Sequence, residues 1–298
     1  MWPFSSSPTV PVLRLSGPIG MATPLRSGLN IGDMAGPLER AFSSSKLPAV
    51  AIVINSPGGS PVQSNLLCKR IRQLAEEKKK KVYVFCEDVA ASGGYFIAVA
   101  GDEIYADPSS IVGSIGVIAA GFGFDKAIEK LGVERRVYTA GKSKSILDPF
   151  MPENEEDVAR VKAVQKEIHD VFIGVVKERR GDRLKEVDDE LFTGAFWSGT
   201  SAVELGLIDG ISDVRTKMRE IFGPKVVLRL VPISSGGLLG RLRRMQRMEQ
   251  VVGGLSGAVS RALTGACSSR FTDDGSRSLT DDAISTLETR MLWSRFGL

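Results

Sequence analysis

The chain has 298 residues, 43% hydrophobic and 25% charged, an ordinary globular composition that excludes a disordered or collagen-like chain. Lys and Arg number 39 against 35 Asp and Glu, and the resulting +4 is too small over this length to indicate a nucleic-acid partner. The excess is local: residues 236–266 hold Arg241, Arg243, Arg244, Arg247 and Arg261 against the single acid Glu249, and without them the balance is 34 to 34. Three cysteines (Cys68, Cys86, Cys267) without C-x-x-C spacing, and one histidine, cannot build a Cys/His zinc site. The odd cysteine count points to a reducing compartment. The N-terminus lacks the basic and apolar regions of a secretion signal, and no window reaches the roughly 18 apolar residues of a membrane span. A cytoplasmic chain is the expectation.

Residues 10–16 read as a first strand and 33–45 as a short helix. AVAIVIN at 49–55 is an apolar run suited to a parallel strand buried on both faces. After SPGGSP, the stretch Gln63 to Lys78 places Leu66, Leu67, Ile71 and Leu74 at helical spacing, and VYVFC at 82–86 is a second buried strand, completing a β-α-β unit. A second unit is predicted from a helix starting near Ser92, a strand at 103–106, a Gly-rich segment at 112–123, a helix at 124–131 and a strand at 133–139. Pro152 to about Arg180 reads as one long helix with the acidic turn ENEED at its start. Its stripe of Val158, Val161, Val164, Ile168, Val171 and Val175 is expected to face the sheet or another subunit. Two short helices around GLIDG follow within 198–223, then a strand at 225–231. Past SSGG the composition changes, so the chain divides into a lead (1–9), a domain (10–233) and a basic tail (234–298), amphipathic or partly disordered.

Several candidate motifs reduce to ordinary structure. Lys78 to Lys81 sit at a predicted helix C-terminus, where positive charge complements exposed carbonyls. His169 lies inside the long helix, which weakens every His-dependent hydrolase reading. GKSKS at 141–145 lacks the glycine of a phosphate loop, since Arg136 stands there, and GFGF at 121–124 lacks the third dinucleotide glycine, since Lys126 does. No cofactor and no metal are expected. Two Gly pairs remain, both where a strand ends. NSPGGS at 55–60 lets backbone N–H groups approach a ligand, and ASGGYFIA places Ser92 at a helix start, where free N–H groups favour an oxyanion. In isolation, a serine there is more commonly a helix cap.

Together with VGSIGV at 112–117 and GKSKSILDPF at 141–150, these motifs resemble the signal peptide peptidase A family of serine peptidases, within the ClpP/crotonase superfamily. The likeness runs from about Val10 to Val231. It implies an α/β superhelix of repeated β-α-β units with a long packing helix. It also implies Ser92 as nucleophile, Lys144 as general base, Ser114 as the residue orienting the lysine, and an oxyanion hole from Gly93 and the Gly58 or Gly59 pair. Lys144 is preferred to Lys142 because the family pattern resembles a lysine, a small residue and then acid-Pro-Phe, here Lys144, Ser145 and Asp148-Pro149-Phe150. The chain resembles the short version, with serine and lysine in one chain. The implied partners are apolar peptides such as residual signal peptides, and further copies of the chain in a ring or dome.

The chemistry is self-consistent. A hydroxyl needs a base, and a lysine serves where an apolar pocket lets the neutral amine be populated. The rivals are a non-catalytic oligomeric scaffold and an acyl-CoA hydratase, which would want carboxylates near the two glycine turns. In the tail, Leu238, Leu242, Met245 and Val252 fall opposite Arg243, Arg244 and Arg247, a pattern compatible with peripheral contact at the inner face of a membrane.

Overall fold

The computed structural model describes residues 7–20, 28–141, 143–185 and 189–233. The readings made for Lys142, for Cys267 and for the rest of the tail fall outside the described residues.

The strands β1 (Thr9–Ser16), β2 (Ala49–Ser56) and β3 (Lys81–Ala91) are separated by the helices α1 (Ile31–Ser43) and α2 (Pro61–Glu77). All three strands pair in parallel, with β2 between the other two. Burial of β2 on both faces explains its unbroken apolar run: Val50, Ile52 and Ile54 join the larger core under α1 and α2, while Ala49, Ala51 and Val53 join a smaller one on the opposite face. The short α3 (Gly93–Ala98) follows β3 after one residue.

The length of β3 lets it serve two neighbours. Tyr83–Cys86 pair with β4 (Glu103–Ala106), and Val89–Ala91 pair with β5 (Ile111–Gly113). The changeover coincides with a bulge, since Ile54 faces Cys86 whereas Ser56 faces Ala90. Asn55 fills it: its side chain donates to Asp88 and accepts from the Val89 N–H at 3.3 Å. The asparagine of NSPGGS therefore ties two strand ends together. The sheet is completed by β6 (Phe196–Ser198), antiparallel to β5, by β7 (Gly210–Ile211) beside β4, and by β8 (Val227–Leu230) beside β1.

The remaining helices are α4 (Asp125–Lys130), α5 (Glu155–Arg180), α6 (Gly199–Glu204) and α7 (Val214–Phe222). One expectation needs correction. Residues 133–139 form no strand and are exposed apart from half-buried Val137, because no neighbour offers them an edge. The long helix exists, but it buries Phe172, Val176 and Arg180 and leaves Val164 and Val171 of the expected stripe about half exposed, at 50% and 52%. Of the rest of the stripe, Val158, Val161 and Ile168 are half-buried and Val175 packs against the larger core.

Helix α7 covers the smaller core through Met218, and Asp213 caps it by accepting N–H bonds from Arg215 at 2.7 Å and Thr216 at 3.0 Å. The Thr216 hydroxyl, with those amides, holds the Asp213 carboxyl below its ordinary range despite partial burial. With the lower value in the folded state, the cap stabilises above the unfolded carboxylate pKa and is lost as pH falls through the folded one. Asp213→Ala is expected to cost about 1 kcal/mol at neutral pH and progressively less in acid, as read by urea denaturation across that range. An equal cost at every pH would exclude the charged cap as the cause.

Candidate active site

Ser92 occupies the single residue between β3 and α3, with φ 51° and ψ −121°. A non-glycine residue in this region is strained by roughly 1–3 kcal/mol and persists only where its surroundings hold it. Here the Ser92 N–H donates to the Gly113 carbonyl of β5 at 2.7 Å, and the Phe96 N–H donates back to the Ser92 carbonyl at 2.9 Å. Although Ser92 stands at the helix cap, its side chain makes no capping bond. The commoner role of a serine at such a place is absent, and the hydroxyl is left free of the helix.

The second glycine turn packs directly against this one. At Gly58 (φ +100°) a Cβ would lie 2.7 Å from the Gly93 nitrogen and 2.8 Å from the Ser92 Cβ, so only glycine permits the approach. Ile19 clamps the neighbouring residue on both sides, its N–H donating to Gly58 and its carbonyl accepting from Ser60, each at 2.8 Å. The bridge turns the N–H of Gly59 away from Ile19, and a Cβ on Gly93 would stand 3.3 Å from the Gly59 nitrogen. The sequence leaves Gly58 and Gly59 as equal candidates. The structure distinguishes them: the Gly58 N–H donates to the buried Ser56 hydroxyl at 3.2 Å, whereas among the described residues the N–H groups of Gly59 and Gly93 have no acceptor. Gly93 is the first residue of α3, where helical geometry supplies none.

A cavity of about 150 Å³ opens beside Ser92. Phe96 forms its floor together with Phe172, their rings 4.8 Å apart. Helix α2 supplies Val62 and Asn65 on one side, and α5 supplies Ile168 and Val171 on the other. Among the described residues no carboxylate lines it. The α5 wall belongs to the apolar stripe that the sequence shows, whereas Val62 and Asn65 of α2 lie outside the spacing of Leu66, Leu67, Ile71 and Leu74 and carry no such signal.

Ser114, also at positive φ (54°), lies one residue beyond the carbonyl that holds Ser92, and its N–H donates to Ala195 at 2.7 Å. His169 is spent elsewhere: its Nε2 lies 2.9 Å from the Ile115 carbonyl, so it pins the segment after Ser114 to α5. Cys68 and Cys86 are buried core residues whose thiols burial pushes up to about 11 and about 12, which keeps them protonated and inert.

Lys144 is not brought to Ser92 within the single chain. It is exposed, does not line the cavity and has no hydrogen bond or ion pair among the described residues. Its loop is nonetheless shaped. Asp148 accepts from the Phe150 N–H at 3.0 Å, from Arg135 at 3.0 Å and from the Ser145 hydroxyl at 3.1 Å. The Phe150 amide and the Arg135 guanidinium hold its carboxyl below the usual carboxylate range. The whole excursion stands clear of the core: among the described residues from Gly116 to Val171, none is buried.

A serine at a strained strand-to-helix turn, two convergent free amides and an apolar cavity, set on a ClpP/crotonase-like fold, mark the serine-type peptidases as the class. The model of peptidase family S49 matches residues 74–222, half of the chain. The chain belongs to that family. It is 30% identical over 209 residues to a Synechocystis protein whose name assigns it provisionally to the proteases, covering 70% of this chain and 72% of that one. It is 31% identical over 219 residues to the chloroplastic serine protease SPPA of Arabidopsis thaliana, covering 67% of this chain and 32% of that one. It is also 52% identical over 290 residues to a Brucella abortus protein named as the Na+/H+ antiporter NhaA. That match takes in 97% of this chain but 37% of the Brucella protein, so the chain spans little more than a third of that relative. Among the described residues no helix is long and apolar enough to cross a membrane.

Proposed function

We propose that the chain is a serine endopeptidase that cleaves unfolded or apolar peptides through an acyl-enzyme, with Ser92 as nucleophile and Lys144 of a neighbouring copy as general base. The observation that carries this reading is the Ser92 turn, where an uncommitted hydroxyl, two uncommitted amides and an apolar cavity meet. Ser92 Oγ attacks the peptide carbonyl carbon and gives its proton to the neutral lysine amine. The carbonyl electrons move to oxygen, where the N–H groups of Gly59 and Gly93 stabilise the charge by about 3 kcal/mol per donor. Collapse expels the amine, which takes the proton from the lysine. Water then attacks the acyl-enzyme with the lysine again as base, releasing the acid and restoring the serine.

The exposed excursion supports assembly with further copies. Ile118, Phe122, Leu131 and Tyr138 are 76–91% exposed, an apolar surface that an isolated soluble chain rarely presents. Packing against a second copy would cover it, bury the Lys144 loop and exclude folded proteins from the serine. The hydratase alternative is disfavoured by the absence, among the described residues, of a carboxylate in the cavity lining. The test is labelling with a fluorophosphonate, followed by mass spectrometry of the digested protein. The adduct is expected on the peptide containing Ser92, and labelling elsewhere or none would overturn the reading.

A further inference from the structure

We propose that Asn65 reads the substrate side chain on the acyl side of the cleaved bond, favouring residues of middle size with a hydrogen-bonding group over their apolar isosteres. The inference rests on the peptidase reading above and adds a preference that an apolar cavity alone does not imply.

The other polar side chains at the start of α2 are all engaged. The Ser60 hydroxyl caps the helix by accepting the Gln63 N–H, the Gln63 side chain accepts the Ile31 N–H at 2.9 Å, and the Ser64 hydroxyl donates to the Ser60 carbonyl at 2.9 Å. Each of these groups has a structural task. Asn65 has none: its half-buried carboxamide makes no hydrogen bond among the described residues, and apart from Ser92 it is the one polar side chain in the cavity lining. It faces Val171 and Phe172 of α5 across a space of about 150 Å³, a volume at which an apolar cavity admits a benzene-sized group.

Water can serve the carboxamide in the free protein. A substrate side chain entering the cavity displaces that water, and the outcome depends on what replaces it. A purely apolar group leaves Asn65 unsatisfied in a dry site, whereas a hydroxyl or amide takes over the lost bonds. The carboxamide both donates and accepts, so threonine against valine, and glutamine against methionine, are the discriminating pairs. The apolar floor at Phe96 and Phe172 still favours substantial side chains, so glycine should be poor.

The experiment compares kcat/KM for two peptides differing only in threonine or valine before the cleaved bond, using the full chain, Asn65→Leu and Asn65→Ser. Asn65→Leu keeps the bulk and removes the polar group, and it should lower the threonine-to-valine ratio about tenfold, the threonine peptide losing its partner and the valine peptide gaining as the unsatisfied carboxamide is removed. Asn65→Ser should retain most of the ratio. Fluorophosphonate labelling of Ser92 at the parent rate confirms that each variant keeps its site. Equal loss on both peptides would show a main-chain contact and overturn the proposal, as would an unchanged ratio in both variants. A parent chain that cleaves nothing and takes no label would instead remove the peptidase reading itself.

Discussion

Ser92→Ala is expected to abolish peptide hydrolysis, lowering kcat by about 10⁴-fold or more, with the fold and the assembly unchanged. The substitution deletes one oxygen that makes no hydrogen bond in the helix cap and keeps a Cβ that already packs against Gly58, so nothing in the core is asked to move. Ser92→Gly separates catalysis from strain. It should be equally inactive, yet about 1 kcal/mol more stable than the parent, because glycine adopts the positive φ without the steric cost that serine bears there. The two measurements are turnover of an apolar peptide and the urea midpoint of the purified variants. Parent-level turnover in Ser92→Ala would remove the nucleophile, and a Ser92→Gly protein less stable than the parent would show that the turn is not strained. A site that stores strain at the residue performing the chemistry matches the general tendency of function to sit where local backbone preference is overruled.

The strands around this turn were legible in the sequence because burial on both faces writes itself as an uninterrupted apolar run, as in β2 from Ala49 to Ile54. The paired glycines were legible for a different reason: each stands directly after such a run, where a close backbone approach needs a residue without a side chain. The choice between Gly58 and Gly59 was not, since it depends on the Ser56 hydroxyl consuming one N–H, a three-dimensional fact. The three-residue strands β5 and β6 are too short for alternation to reveal, yet β5 supplies the carbonyl that holds Ser92. For α5, periodicity reports which residues share a stripe and says nothing of what each part of it meets: Val175 meets the core, while Ile168 and Val171 line the cavity. The strand expected at 133–139 does not form for want of a partner edge, and the segment is exposed apart from half-buried Val137. Asn65 left no signal, because an uncommitted amide is recognisable only after its neighbours' hydrogen bonds are known.

Mixing two inactive variants should restore activity if the lysine is delivered by a neighbouring copy. Lys144→Met alone is expected to lose turnover by several orders of magnitude, as for removal of a general base from a two-residue unit. Lys142→Met should remain near the parent. In a head-to-tail ring each site takes its serine from one copy and its lysine from the next, so equal amounts of Ser92→Ala and Lys144→Met, allowed to exchange subunits, leave about a quarter of the sites with both groups intact. About a quarter of parental turnover is therefore the expected result for the mixture. A chain that paired Ser92 with its own Lys144 would give none, because no copy in the mixture carries both. The exposure of Lys144 in the single chain and the absence of any buried residue among the described residues between Gly116 and Val171 favour the first outcome. Asp148 would then be needed in both arrangements, since it holds Arg135, Ser145 and the Phe150 amide in one turn and so fixes where the lysine leaves the loop. Rescue in the mixture, absent from either variant alone, separates a shared site from a structural effect of either substitution.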